Sequence, residues 1–257
     1  MSAWVALRRL FFPPRCSACG VLTDRAQQTQ PLALCKACAV NWDAHKNALC
    51  HCCGYPVADC KRSVPMLARH GVDTLVKLTE YDPQKPASVA SRMIFKLKDK
   101  ESAELHAYLA RELAPKIKEQ LVRLGQTPEN CVLVWAPRSK RALRERGFDQ
   151  SKGLCVALAR ELGMPKPAQM VRRTGGGVQK MLGGEQRAKN AFAAFEAVPE
   201  HCASLKGKCV ILVDDVVTTG STLSAVAAKI KPYKPAHILA ACVAIDIPPE
   251  RRGDNEK

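Results

Sequence analysis

The sequence predicts an α/β chain: a mainly parallel sheet flanked by helices, with a small cysteine-rich module ahead of it. Three observations carry this reading. Val210-Ile211-Leu212-Val213 and the run from Ala236 to Ile245 are near-continuously apolar, as strands covered on both faces must be. Helical stretches with apolar stripes alternate with these strands, which is the pattern of parallel crossovers. Eight of the thirteen cysteines fall between Cys16 and Cys60, setting that stretch apart from the rest.

From the N-terminus, Met1 to Phe12 is apolar but too short for a membrane span. Arg8-Arg9 interrupt it where a signal peptide needs its apolar run. It reads as an amphipathic first helix of a cytoplasmic protein, without membrane insertion. Cys16-Ser17-Ala18-Cys19 is followed fifteen residues later by Cys35-Lys36-Ala37-Cys38, the spacing of a four-cysteine ribbon holding structural Zn²⁺. Gly20 suits the tight turn after the first pair. Cys50 and Cys53 form a third knuckle and Cys60 begins a fourth, but its partner position is Ser63. A complete second zinc site needs His51, Cys52 or His70 as a substitute ligand. One zinc, two zincs, or knuckles shared between the halves all fit the spacing. The other cysteines, Cys131, Cys155, Cys202, Cys209 and Cys242, are scattered, several of them in apolar runs, where free cysteine acts as a small core hydrophobe.

Gly71 to Tyr81 has the alternation of an edge strand, and Ala87 to Lys98 reads as a helix. Glu101 to Leu124 is a longer amphipathic helix striped by Leu105, Leu109, Leu113, Ile117 and Leu121, with Pro115 expected to kink or divide it. His106 beside that stripe reads as a surface or partly packed residue. Val132 to Trp135 is a strand, and Gln150 to Gly163 a helix closed by Gly163 and Pro165. The expected organisation is a cysteine-rich module over 1–70, an α/β domain over 71–247 and a charged tail over 248–257.

The chain carries 40 Lys and Arg against 24 Asp and Glu, a formal net charge of +16. That favours polyanionic partners, nucleic acid or a pyrophosphorylated substrate. The excess is uneven: Arg138 to Asn190 holds thirteen Lys or Arg and four Asp or Glu, nine of the excess in about a fifth of the chain.

The most specific signal follows the strand at Val210. Asp214 and Asp215 come at the carboxyl edge of the sheet, where open α/β folds bind ligands. Val216 and Val217 lead on to Thr218, Thr219, Gly220, Ser221 and Thr222, which supply hydroxyls and backbone N–H groups at a helix start, with Ser221 as the expected cap. Such a loop is an anion site, because unpaired donors and the helix dipole point the same way. Carboxylates accept hydrogen bonds from sugar hydroxyls and can share a divalent cation, so the combination reads as a grip on a phosphorylated ribose. No Gly-Lys-Ser/Thr triplet follows a four-residue spacer, which excludes a Walker A loop.

The string Val210 to Leu223 resembles the signature of phosphoribosyltransferases, which bind 5-phosphoribosyl-1-pyrophosphate (PRPP). Three further blocks extend the resemblance: Pro137-Arg138 leading to Arg144-Glu145-Arg146-Gly147-Phe148-Asp149-Gln150; Arg172-Arg173-Thr174 with Gln179; and Arg187-Ala188-Lys189-Asn190-Ala191-Phe192-Ala193-Ala194-Phe195. With the cysteine head, these are similar to the ComF family, a double zinc ribbon on a phosphoribosyltransferase domain, tied to natural competence and the use of external DNA by bacteria. The resemblance covers about Phe12 to Asp246. It implies a type I phosphoribosyltransferase-like fold, with Asp214 and Asp215 on the ribose hydroxyls, Thr218 to Thr222 on the 5′-phosphate, and Mg²⁺ bound with PRPP. The chain departs from the family at Asp149, where Asn is usual, weakening any anion contact there, and at Ser63, where the last zinc ligand is often Cys.

A leaving pyrophosphate needs cations, and Arg138, with Lys140, falls at the same sheet edge as the Asp pair. Arg138 to Arg146 also reads as a charged helix start facing water, and Arg144 and Arg146 could equally bind DNA phosphate. Gly175-Gly176-Gly177 reads either as a surface loop or as a lid over substrate. Two classes of function emerge. One is a phosphoribosyltransferase with Mg²⁺ and an unidentified acceptor. The other is a non-catalytic adaptor whose zinc head and basic face bind single-stranded DNA, with PRPP or a nucleotide as regulatory ligand and a DNA-uptake apparatus as a further partner. Against the second, aromatic residues make up 5% of the chain, and Trp4, Trp42 and Trp135 read as core or anchor residues rather than stacking platforms.

Overall fold

A computed structural model describes residues 13, 15–23, 34–50, 53–60, 64–99, 101–174 and 192–247. The expectations for Met1 to Phe12 with Trp4, for His51, Cys52 and Ser63, for Gly175 to Gly177 and Gln179, for residues 187–191 and for the tail lie outside those residues.

The centre is a five-stranded, wholly parallel sheet. Strands β6 (Cys209–Val217) and β7 (His237–Asp246) form its middle. Strand β3 (Cys131–Trp135) pairs with the outer side of β6, with Trp135 opposite Val213. Along the other side of β7 run β1 (Thr74–Val76) and β2 (Thr79–Tyr81), two segments in one register of the edge strand read from Gly71 to Tyr81, and between them the Leu78 N–H donates to the Val243 carbonyl at 3.1 Å. Lys77, between the two segments, is buried, and its ammonium donates to the Cys60 carbonyl at 2.6 Å. A second, two-stranded antiparallel sheet joins β4 (Val171–Arg173) to β5 (Phe195–Ala197), and the short helix α7 (Pro199–Cys202) follows it.

Alternate residues of the central strands build two cores. Ile211, Val213, Leu239 and Ala241 face helices α3 (Val89–Asp99), α4 (Ala103–Arg123) and α6 (Gln150–Leu162). Val210, Leu212, Ile238 and Ala240 face α8 (Ser221–Ile230) and β4–β5. The near-continuous apolarity of β6 and β7 is thereby explained, since both faces are covered. Pro115 does not divide α4. The proline removes one N–H donor, but the buried stripe of Leu109, Leu113, Ile117 and Leu121 packs both halves into the same core. The five scattered cysteines are all buried, as small core residues.

The cysteine-rich head packs on the first of these cores. Its helix α1 (Lys36–Asn47) buries Trp42 completely, in one cluster with Cys16, Cys38 and Met93. A short helix α2 (Pro65–Arg69) then leads to β1 and lies against the start of α8.

Candidate functional site

Strand β6 is nine residues long, not four, so it carries Asp214 and Asp215 within its ladder. The pair is held from α6. Ser151 donates its hydroxyl to Asp214 Oδ1 at 2.8 Å, and Gln150 Nε2 donates to Asp215 Oδ2 at 2.8 Å. The backbone N–H of Asp215 donates to Asp214 Oδ1, and that of Val216 to Asp215 Oδ1. Lys98, at the end of α3, and Arg138, beyond β3, each place a charged nitrogen 3.9 Å from Asp215 Oδ2. Burial first, and the neighbouring Asp215 carboxylate second, raise the Asp214 pKa well above the usual carboxylate range, against the Ser151 hydrogen bond.

After β6 the chain turns through Thr218 and Thr219, both exposed, into α8. The expected cap is displaced by one residue: Gly220, at φ +80°, occupies the N-cap, and Ser221 is the first helical residue. Only glycine suits this position, because a Cβ would also meet Val64 at 3.0 Å and Leu67 at 3.1 Å where α2 crosses the turn. The Thr219 hydroxyl serves instead, accepting the Ser221 N–H at 3.4 Å and donating to its Oγ at 3.1 Å. The first amides of α8 have no intrahelical acceptors and face the turn.

Of the basic residues predicted near the pyrophosphate, Arg138 alone pairs with the carboxylates among the described residues. Lys140, Arg144 and Arg146 lie on α5 (Lys140–Arg146), a helix with no buried residue, where Arg146 bonds the Lys98 carbonyl. Asp149, the departure from the family pattern, has a structural use. One oxygen accepts the Arg138 backbone N–H at 3.0 Å and the other caps α6 through Lys152 N–H at 3.1 Å. Asp149 thus fixes Arg138 relative to Gln150 and Ser151.

Sequence reasoning assigned no site role to Lys98, Gln150, Ser151 or Arg173. Gln150 stood inside a recognised block, whereas Lys98 is one of several lysines in a charged helix end and carries no local signal. The Arg173 guanidinium stacks 5.2 Å from the Phe195 ring and feels Asp214. Burial lowers the pKa of both Arg138 and Arg173, although the carboxylates oppose it, and the buried Nε of each has no hydrogen-bond partner.

The head holds two thiol clusters. Cys16, Cys19, Cys35 and Cys38 bring their sulfurs within 4.8 Å of one another, as do Cys50, Cys53 and Cys60. A tetrahedron with Zn–S bonds of about 2.3 Å has S···S edges of about 3.8 Å. The Cys19–Cys35 separation is 3.7 Å and the Cys50–Cys60 separation 3.4 Å, so the first set fits the ion with four thiols and the second supplies three of the four ligands among the described residues. Sharing of knuckles between the halves is not what the fold does. The knuckles at Cys16 and Cys50 are built alike: Gly20 N–H returns to the Cys16 carbonyl at 2.9 Å and Gly54 N–H to the Cys50 carbonyl at 2.8 Å, both glycines at positive φ. Cys35 and Cys38 sit instead at the N-terminus of α1, and burial raises the Cys38 thiol pKa. At Cys16 burial works against the thiolate, but N–H groups of Cys35, Cys19 and Ala18 outweigh it and bring the pKa to about 7. His70 lies outside the second cluster, with its ring 4.6 Å from that of Phe192.

A phosphoribosyl transferase domain matches residues 153–257, and a double zinc ribbon domain matches residues 7–67. Fold and site therefore define a double zinc ribbon joined to a phosphoribosyl transferase domain. DNA utilization protein YhgH of Salmonella typhimurium (strain LT2) is 32% identical over 213 residues, covering 77% of this chain and 86% of that protein. The protein of that name from Escherichia coli (strain K12) is 31% identical over 211 residues, with the same shares. The crystal structure of TT1426 from Thermus thermophilus is 18% identical, covers 56% of this chain and 84% of that one, and superposes with a TM-score of 0.33, too low to carry an argument. The chain belongs to the ComF-like family that includes the YhgH DNA utilization proteins. No described helix is long and apolar enough to cross a membrane.

Proposed function

We propose that the protein binds PRPP with Mg²⁺ at the end of β6 and transfers its phosphoribosyl group in the service of DNA uptake and use. The observation that supports this most is the facing of Asp214 and Asp215 by Arg138 and Arg173, whose buried Nε atoms lack partners, beside the hydroxyl turn that opens α8. In this reading Asp214 and Asp215 accept the ribose 2′ and 3′ hydroxyls, held for that purpose by Ser151 and Gln150. Thr218 to Thr222 receive the 5′-phosphate on hydroxyls and helix amides. The acceptor's nucleophilic atom bonds to C1 as the C1–O bond breaks, and pyrophosphate departs with the electron pair. Arg138 and Arg173 meet its growing charge, which preorganised cations do without reorganisation. Mg²⁺, held through the pyrophosphate and the acidic pair, would supply further charge neutralisation. Titrating PRPP and Mg²⁺ into the wild type and into Asp214→Ala/Asp215→Ala by calorimetry tests the reading. Binding by the wild type alone is expected, and absence of binding by both sinks it.

A DNA-binding role has its own support. A groove of about 880 Å³ runs between the first knuckle and α3, with Arg92, Lys96, Lys98 and Arg146 along it. Phe95 is 42% exposed there and meets Tyr81 edge-on at 6.1 Å, with the Lys98 ammonium 5.9 Å from the Tyr81 ring. Cations beside an exposed ring suit a single strand, whereas the described tryptophans offer it no platform: Trp42 is wholly buried and Trp135 nearly so. Fluorescence anisotropy with labelled oligothymidylate should show weaker binding by Phe95→Ala, and by Lys96→Ala a salt slope reduced by about one. Unchanged binding in both would remove this groove from the reading.

A further inference from the structure

Arg138 and Arg173 face two spaces. On one side are the carboxylates. On the other, between α4, α5, α6 and β4, is a cavity of about 670 Å³, within the range that holds nucleotide-sized ligands. Two kinds of chemistry line it. Trp135, Phe148 and Val156 give an apolar interior, while Lys140, Lys152, Arg160 and Arg172 join the two shared arginines. Six basic side chains thus meet three acidic ones, Glu101, Asp149 and Glu161. The Lys152 ammonium stands 5.8 Å from the centre of the Trp135 ring.

His106 completes the lining. It is not the surface or partly packed residue read from sequence: it is 4% exposed, and its Nε2 makes no hydrogen bond. Gly153 makes room for it, since a Cβ there would lie 2.5 Å from the imidazole Cε1. Burial lowers its pKa, against the pull of Glu101 and of the Gln150 and Ser102 backbone, so the ring is a neutral hydrogen-bonding group. A buried polar atom left unpaired is costly, a penalty that a ligand bonded to it would relieve.

We infer that this cavity is a nucleotide subsite. The base enters the apolar interior and hydrogen-bonds His106, and the phosphate lies against the cations of the rim. The inference rests on the reading of the Asp214 to Thr222 centre as a phosphoribosyl site, because the two would share Arg138 and Arg173. A bare phosphate would leave the apolar interior and His106 unused. The base-plus-phosphate chemistry is common to a free mononucleotide and to the terminal nucleotide of a single strand.

The test is calorimetric titration of dAMP, and separately of a 5′-phosphorylated oligothymidylate, into the full-length protein. PRPP with Mg²⁺ is titrated into the same samples. Val156→Phe fills the cavity from α6, and Lys152→Glu reverses an exposed rim charge without touching the core. The expected result is nucleotide binding that weakens at least about tenfold in both variants, a change of about 1.4 kcal/mol or more, while PRPP binding is retained. Loss confined to the oligonucleotide titration also supports the subsite and identifies the strand end as its source. No nucleotide binding in either form, or equal binding by wild type and both variants, overturns the inference even where PRPP binds. Failure of PRPP to bind the wild type overturns the phosphoribosyl reading beneath it and, with it, the shared-arginine argument.

Discussion

Gly153→Ala should lower stability, although glycine-to-alanine in a helix ordinarily raises it. Gly153 is an interior residue of α6, where alanine is worth about 1 kcal/mol over glycine. Against that, a Cβ would lie 2.5 Å from Cε1, 2.8 Å from Nε2 and 2.9 Å from Nδ1 of His106. Carbon contacts are optimal at about 3.5–4.0 Å, so the ring or the two helices must give by about 1 Å. Overpacking of this kind costs about 1–3 kcal/mol, leaving a net loss of about 1 kcal/mol at its midpoint. In a chain of this size that is a fall of about 2–4 °C in melting temperature. The same substitution in a His106→Ala background meets no ring and should stabilise by about 1 kcal/mol. The sign reversal, a coupling of about 2 kcal/mol, is read from denaturant melts of the four proteins in the cycle. Equal effects in the two backgrounds would refute the packing of His106 on Gly153, and with it the placement of α6 that carries Gln150 and Ser151 to the Asp pair.

Asp214→Asn should abolish PRPP binding while making the free protein more stable at neutral pH, as removal of a functional strain often does. Its folded pKa is raised, so the native state holds a proton that the unfolded chain releases. Wild-type stability should therefore fall as pH rises from about 4 through the folded pKa, and the variant should lack that slope in pH-dependent melts. Chelation of zinc should lower the melting temperature and redden tryptophan emission, because Trp42 shares a buried cluster with Cys16 and Cys38. Metal analysis should return two zincs per chain, and Cys38→Ser should lose one. Lys77→Met should cost about 1–3 kcal/mol by leaving the Cys60 carbonyl without its buried donor. Faster thiol labelling at Cys50, Cys53 and Cys60 would report the loosened head. Gly220→Ala should lower both melting temperature and PRPP affinity, since it combines an unfavourable φ with contacts to Val64 and Leu67.

Much of this architecture was legible because it rests on local rules. The apolar runs of β6 and β7, the thiol spacing of the head and the Asp-Asp turn each announce themselves within a few residues. What was not legible depends on tertiary placement. The length of β6 beyond Val213 is set by pairing with β7, which continues through Asp214, Val216 and Val217. The cap falls on Gly220 rather than Ser221, at a turn where Val64 and Leu67, from about 150 residues away in the chain, leave no room for a Cβ. His106 reads as a surface residue until Gly153, on another helix, admits its ring. Lys98 is an ordinary lysine in sequence and Arg173 one residue of a recognised block, and only the fold aims them at carboxylates.

The most direct test of the central claim is a crystal structure of the protein with PRPP and Mg²⁺. The expected density places the 5′-phosphate on Thr218 to Thr222, the ribose hydroxyls on Asp214 and Asp215, and the pyrophosphate between Arg138 and Arg173. Density for PRPP elsewhere, or a ribose ring turned away from the two carboxylates, would contradict it.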